Sequence, residues 1–251
     1  MPGLANNINK LLEELQPDHK ELKRLYFMLT TGGGIVEEVE RIVNVTRHFY
    51  EEIIFIVPDY AYSAGTVLCM SGDEIYMNYF SVLGPIDPQV QNRAGQFVPA
   101  QGYLDKVNEL IEKSQKGRLT SAEFMMLKEI DLADLRSYEQ AKKLTVDLLE
   151  KWLVKYKFKN WEKHSSTGRI VTLEEKQTRA KEIAQDLGDN NKWKSHGRGI
   201  DINTLQSEFR LKIYDYGADK ELSSFIHEYY SLAIEYIGDR SAMFFHTRRF
   251  L

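Results

Sequence analysis

Apolar residues follow two rhythms along this chain. Leu25-Tyr26-Phe27-Met28-Leu29 and Ile53-Ile54-Phe55-Ile56-Val57 are short unbroken runs, the mark of buried strands. Ile75-Tyr76-Met77 predicts a third strand and Ser81-Val82-Leu83 a short fourth. Between the first two, Ile35, Val36, Val39, Ile42, Val43 and Phe49 recur at helical spacing. A helix is predicted earlier too, over Asn7–Leu15 on Ile8, Leu11, Leu12 and Leu15, with Pro17-Asp18 to end it. Strand–helix–strand–helix–strand, with one helix per connection, predicts an α/β fold whose sheet is mostly parallel. In such a sheet the carboxyl ends of the strands share one edge. The segments after the first two strands, Thr30–Gly34 and Pro58–Thr66, therefore meet where open α/β sheets build their sites.

The second half is helical in pattern. Tyr103, Leu104, Val107, Leu110 and Ile111 form one stripe; Ala141, Leu144, Leu148, Leu149, Trp152 and Leu153 form another. Thr120-Ser121-Ala122-Glu123 and Thr172-Leu173-Glu174-Glu175 are capping-box sequences. Gly188 is the expected end of the helix that starts near Thr172. Asp189–Asp201 is polar and predicts a loop, and Leu222–Ile237 a last helix stopped by Gly238. With no repeat or linker, one domain is expected over 1–251, its sheet core within 20–100 and the remainder mainly helical.

Composition narrows the classes. The chain has 251 residues, 43% hydrophobic and 28% charged, enough for a sizeable core. A net charge of −4 with mixed signs gives no nucleic-acid footprint. A single cysteine, Cys69, rules out an internal disulfide framework and falls in an apolar stretch, as a core residue would. No run of about 18 apolar residues and no signal peptide is present, so the expected location is the cytoplasm. The tail from Phe244 to Leu251 mixes aromatics with arginines, a composition suited to its own fold, a partner subunit or a membrane surface.

Ser63 stands between the second strand run and the small apolar stretch Ala64–Met70, so a sharp strand-to-helix turn is expected there. Such a turn exposes the hydroxyl and aims the free N–H groups of the helix start at one point. A nucleophile needs the first and an oxyanion the second; an ordinary helix N-cap is the plainer use. Gly32-Gly33-Gly34 lacks the third glycine of a dinucleotide fingerprint, since Glu37 is there, and the Lys-Ser/Thr of a phosphate loop. Its favoured use is close approach of a backbone N–H to a substrate carbonyl. The serine would need a base, and six histidines compete. Of these, His196 is in a polar loop beside Gly197, while His48, His19, His164, His227 and His246 have less favourable places. Asp87, between Pro85 and Pro88, is a candidate orienting carboxylate, with Asp59, Asp73 and Asp189 as rivals by position.

Thr-Gly-Gly at 31–33, Tyr62-Ser63-Ala64-Gly65-Thr66 and Gly84-Pro85-Ile86-Asp87-Pro88-Gln89 together resemble the serine dehydrogenase proteinase family. That family is similar to the Clp protease and signal peptide peptidase A groups of the Clp/crotonase fold. The resemblance runs from about Leu25 to at least Asp201. It implies Ser63 as nucleophile, Gly33 and Ala64 N–H groups as oxyanion hole, His196 as general base and Asp87 as its orienter. Relative to Clp protease the two partners are exchanged along the chain, which a triad tolerates because geometry defines it. Thr31 stands where relatives usually have proline, which would loosen the loop. The strand that normally precedes the first helix has no room here, leaving one sheet edge unpaired.

The resulting expectation is a serine peptidase acting on peptides or proteins, without cofactor or metal, and assembled as a homo-oligomer. A Ser–Lys dyad using Lys106, Lys113 or Lys116 is the variant chemistry. An esterase of α/β-hydrolase type, suggested by Ala61-Tyr62-Ser63-Ala64-Gly65, and a non-catalytic scaffold are the other readings.

Overall fold

The computed structural model describes residues 3–19, 22–91, 95 and 97–239. The tail that begins at Phe244, and His246 with it, lies outside the described residues. In chain order the elements are α1 (Leu4–His19), β1 (Arg24–Met28), α2 (Val36–Phe49), β2 (Glu52–Ile56), β3 (Tyr60–Ala61), α3 (Ala64–Met70), β4 (Glu74–Met77) and β5 (Val82–Leu83). Next come β6 (Gln89–Gln91), β7 (Phe97–Pro99), α4 (Ala100–Gln115), α5 (Ser121–Lys128), α6 (Leu132–Trp152), α7 (Leu173–Leu187) and α8 (Asn190–Trp193). The remainder is β8 (Ile200–Asp201), α9 (Ile202–Ser207), β9 (Tyr214–Asp215) and α10 (Lys220–Asp239). The chain forms two compact units, Met1–Leu83 with Gly199–Leu251, and Gly84–Arg198.

The first unit carries the sheet. Its order is β1-β2-β4-β9, parallel throughout, with Leu25 opposite Ile53 and Phe55 opposite Ile75. Ile53, Ile54 and Phe55 are consecutive and all buried, so β2 is covered on both faces, as its unbroken apolar run requires. Each such side chain contributes about 1.5–3 kcal/mol. A second sheet, β3-β5-β8, pairs β3 with β5 in parallel and β5 with β8 antiparallel. Among the described residues β1 is an edge strand, and Tyr26 on it is exposed.

The second unit is mainly helical and carries the antiparallel strand pair β6-β7. Leu148, Leu149 and Trp152 of α6 and Ala180, Ile183 and Leu187 of α7 are buried. Both expected capping boxes form: Thr120 and Thr172 accept the N–H of Glu123 and Glu175, whose carboxylates reach back. After Trp152 the helix widens into a π-helical turn over Leu153–Lys157.

Three boundaries differ from the sequence pattern. α1 starts at Leu4, because Glu38 on α2 accepts the Ala5 N–H at 2.7 Å and satisfies a donor that the helix leaves open. It also continues through Pro17 to His19, since a proline removes one donor without dismantling the last turn. α10 runs past Gly238 to Asp239: a glycine weakens a helix by about 1 kcal/mol and does not by itself end it. The stretch 189–201 is not all loop. Asp189 caps the short α8 through the Asn191 N–H at 2.9 Å, and Ile200-Asp201 pairs with β5.

Candidate functional site

In the first unit, the loop after β1 is laced to β3. Thr31 N–H donates to Tyr60 O at 3.0 Å, and Tyr62 N–H to Thr31 O at 2.9 Å. This fixes the chain entering Ser63. Gly65 N–H then turns back to Tyr62 O at 2.8 Å, Thr66 Oγ1 donates to Ala61 O at 2.8 Å, and α3 begins. A turn this tight holds Ser63 at φ 52°, ψ −118°, a conformation that non-glycine residues rarely adopt and that stores about 1–3 kcal/mol of strain.

Ser63 occupies the N-cap position of α3, yet its side chain caps nothing. Among the described residues neither its hydroxyl nor the Ala64 N–H has a hydrogen-bond partner. The plainer N-cap use is therefore not the one adopted. Ser63 is half-buried, and α3 behind it is buried along its whole length.

Gly33 lies against this turn at φ +110°. A Cβ there would meet Ser63 Cβ at 2.9 Å and Tyr62 O at 3.0 Å, so only glycine brings the backbone this close. Gly65 is constrained likewise, since a Cβ would sit 2.5 Å from Thr31 Cγ2. The Gly33 N–H donates to Thr31 Oγ1 at 3.1 Å. Thr31, whose identity suggested a looser loop, is instead bonded through its N–H, its carbonyl and its hydroxyl. The Thr-x-Gly spacing was the signal for that turn.

In the second unit, Ile86 N–H donates to Leu187 O at 2.9 Å, joining the segment of Asp87 to the end of α7. Gly188 and Asp189 lead into α8. Its end is marked by Lys194 in the left-handed region at φ 63°, which turns the chain toward His196. Buried Trp193 anchors this turn by donating Nε1–H to Asp186 O at 2.8 Å. The outcome is a contact across the sequence: His196 Nδ1 is 2.9 Å from Asp87 Oδ1. Asp87 is 1% exposed and its other oxygen accepts from Gln89 Nε2 at 2.9 Å. A neutral imidazole that donates Nδ1–H to this carboxylate presents Nε2 as an acceptor.

The rivals are engaged elsewhere. Asp73 pairs with Arg47 at 2.7 Å and accepts the Ile53 N–H; Asp59 accepts from Tyr230; Asp189 caps α8. His164 stands between Arg169 and Glu175, His227 contacts Asn78 at 3.0 Å, and His48 packs edge-on against Phe49. Lys106 and Lys116 are paired with Glu109 and Glu112. The hydrogen bonds that Lys113 donates to the Glu109 and Glu123 carboxylates raise its pKa, so its amine is held charged. Among the described residues no group of three or more His, Cys, Asp or Glu is arranged to hold a metal.

The family of ClpP-like SDH-type serine proteinases matches over residues 10–202. The chain belongs to this family. Two uncharacterized proteins of Methanocaldococcus jannaschii are similar to it. One is 31% identical, covering 67% of this chain and 54% of the relative; the other is 32% identical, covering 47% and 43%. The chain thus spans about half the length of these curated relatives. A solved structure of a Lys-to-Ala mutant of the 1510-N membrane-bound stomatin-specific protease, in complex with a substrate peptide, aligns with 84% of this chain and 68% of that one. Its identity is 13% and its TM-score 0.47, a likeness too loose to carry an argument. Membership of the proteinase family fits the parallel βαβ sheet and replaces the α/β-hydrolase fold considered from the Ala61–Gly65 turn.

Proposed function

We propose that the chain is a serine peptidase. Ser63 Oγ attacks the carbonyl carbon of a peptide bond while its proton passes to His196 Nε2. The carbonyl oxygen becomes an oxyanion held by the N–H groups of Ala64 and Gly33. The tetrahedral species collapses, the amine leaves with the proton from His196, and an acyl-enzyme on Ser63 is left. Water, deprotonated by the same imidazole, then releases the acid. Asp87 keeps the imidazole in the tautomer that presents Nε2.

The observation that most supports this reading is the state of the Ser63 turn: a strained backbone and, among the described residues, an unbonded hydroxyl and an unbonded Ala64 N–H directly beside Gly33. Strain of this kind is retained at functional sites, where the surrounding structure over-determines it. The Gly33 N–H must exchange Thr31 Oγ1 for the oxyanion, a stronger, charged acceptor. One donor of this type is worth about 3 kcal/mol of barrier.

A Ser–Lys dyad is less well supported, because a lysine base must lose its proton and Lys113 is held protonated by its two carboxylate partners. Cytoplasmic placement belongs to the proposal; among the described residues no helix is long and apolar enough to cross a membrane. Hydrolysis of an unbiased peptide mixture, with products read by mass spectrometry, tests the function. Cleavage is expected with the wild-type chain and none with Ser63→Ala; identical products from both would overturn it.

A further inference from the structure

In the second unit, α5 buries none of its residues, and Phe124, Met125 and Met126 are each more than half exposed. A helix that leaves its apolar side chains in water lacks a partner on that face. Beside it a cavity of about 600 Å³ opens among α4, α5 and α6, a size suited to a bound segment. Its apolar wall is Tyr103, Val107, Met126, Ile130, Leu135 and Tyr138. The Tyr103 and Tyr138 rings stand 5.6 Å apart. Every charged residue that lines it, among the described residues, is acidic: Glu129, Asp131 and Asp134. Asp131 commits Oδ1 to the Ala133 N–H at the start of α6.

Three carboxylates around an aromatic and methionine wall suit a segment that combines guanidinium groups with large apolar side chains. Arginine bonds carboxylates in a planar fork and stacks on rings, and methionine adapts to the shape of its guest. The chain contains one segment of that chemistry outside the described residues. Residues 240–251 carry Arg240, Arg248 and Arg249 and no acidic residue, together with Met243, Phe244, Phe245 and Phe250. We propose that the α4–α5–α6 groove receives the 240–251 segment of a second copy of this chain. The contact joins different surfaces on the two copies and is therefore heterologous, able to close into a ring.

Charge exchange tests the contact on the full-length chain. The tail variant is Arg248→Glu with Arg249→Glu; the groove variant is Glu129→Arg with Asp134→Arg, sparing the Asp131 cap. Sedimentation measures the self-association constant at physiological salt. Each variant should weaken self-association about tenfold, the scale of two exposed ion pairs. The chain that carries all four changes should return to within about threefold of wild type, which also shows that the variants fold. Indifference to either reversal, or failure of the combination to recover, would overturn the proposal. So would loss of wild-type binding to phosphatidylserine vesicles on tail reversal with self-association unchanged, which would assign the tail to a lipid surface.

Discussion

His196 Nδ1 lies 2.9 Å from Asp87 Oδ1, although 109 residues separate them in the chain. The Ile86–Leu187 backbone bond and the left-handed turn at Lys194 bring the two together. A buried carboxylate that fixes an imidazole tautomer matters to turnover far more than to fold. Asp87→Asn should therefore lower kcat by about 10³- to 10⁴-fold with KM little changed. His196→Ala should lower it at least about 100-fold. Steady-state peptide hydrolysis measures both, and an Asp87→Asn enzyme within tenfold of wild type would contradict the assigned role.

Gly33 has no room for a methyl group, since its Cβ would stand 2.9 Å from Ser63 Cβ. Gly33→Ala also forces φ +110° on a residue that avoids it. Moving this amide away from Ser63, the proposed nucleophile, should reduce kcat by about 10²- to 10³-fold, with a loss of about 1–3 kcal/mol of stability. Paired measurement of hydrolysis and chemical denaturation separates the two effects. Unchanged turnover would remove Gly33 from the oxyanion hole.

Thr31→Val keeps the methyl that packs beside Gly65 and deletes the hydroxyl that holds the Gly33 N–H. Freed from a bond worth about 1 kcal/mol, the amide should serve the oxyanion more readily and kcat should rise about fivefold. Thr31→Ser should match wild type. A Thr31→Val enzyme slower than Thr31→Ser would mean that the hydroxyl positions the loop rather than competing for it.

The Thr172 N–H, then Arg169 and His164, hold the Glu175 carboxyl down at about 2, against 4.5 for the free group. A depressed folded-state value stabilises the fold above the unfolded value and is lost as pH falls toward the folded one. The Tm gap between wild type and Glu175→Gln should be full above about pH 5 and close progressively toward pH 2. A gap independent of pH would show that ionised Glu175 contributes nothing to α7.

Local sequence carried much of this fold. The runs at Leu25, Ile53 and Ile75 became the parallel strands β1, β2 and β4; β2 is covered on both faces, whereas β1, expected to be buried, is an edge strand with Tyr26 exposed and none of its five residues buried. Thr120 and Thr172 marked helix starts because their partners are three residues away. What stayed hidden depends on distant partners. β3, β8 and β9 are two residues each, too short for any period, and are strands only through their pairing. The early start of α1 rests on Glu38, 33 residues on. At the candidate site, Ser63 and the glycines were legible as a turn, but neither the left-handed φ of Ser63 nor the grip of Thr31 on Gly33 shows in composition. Asp87 and His196 were named through the family resemblance, since no spacing rule links residues so far apart.

In the proposed mechanism the hydroxyl held on the α3 turn is the nucleophile. Reaction of the wild-type chain with a fluorophosphonate, followed by peptide mapping, tests it most directly. One phosphonyl adduct on Ser63, and none on the Ser63→Ala chain, is the predicted result. An adduct on another residue, or equal labelling of the Ser63→Ala chain, would contradict it.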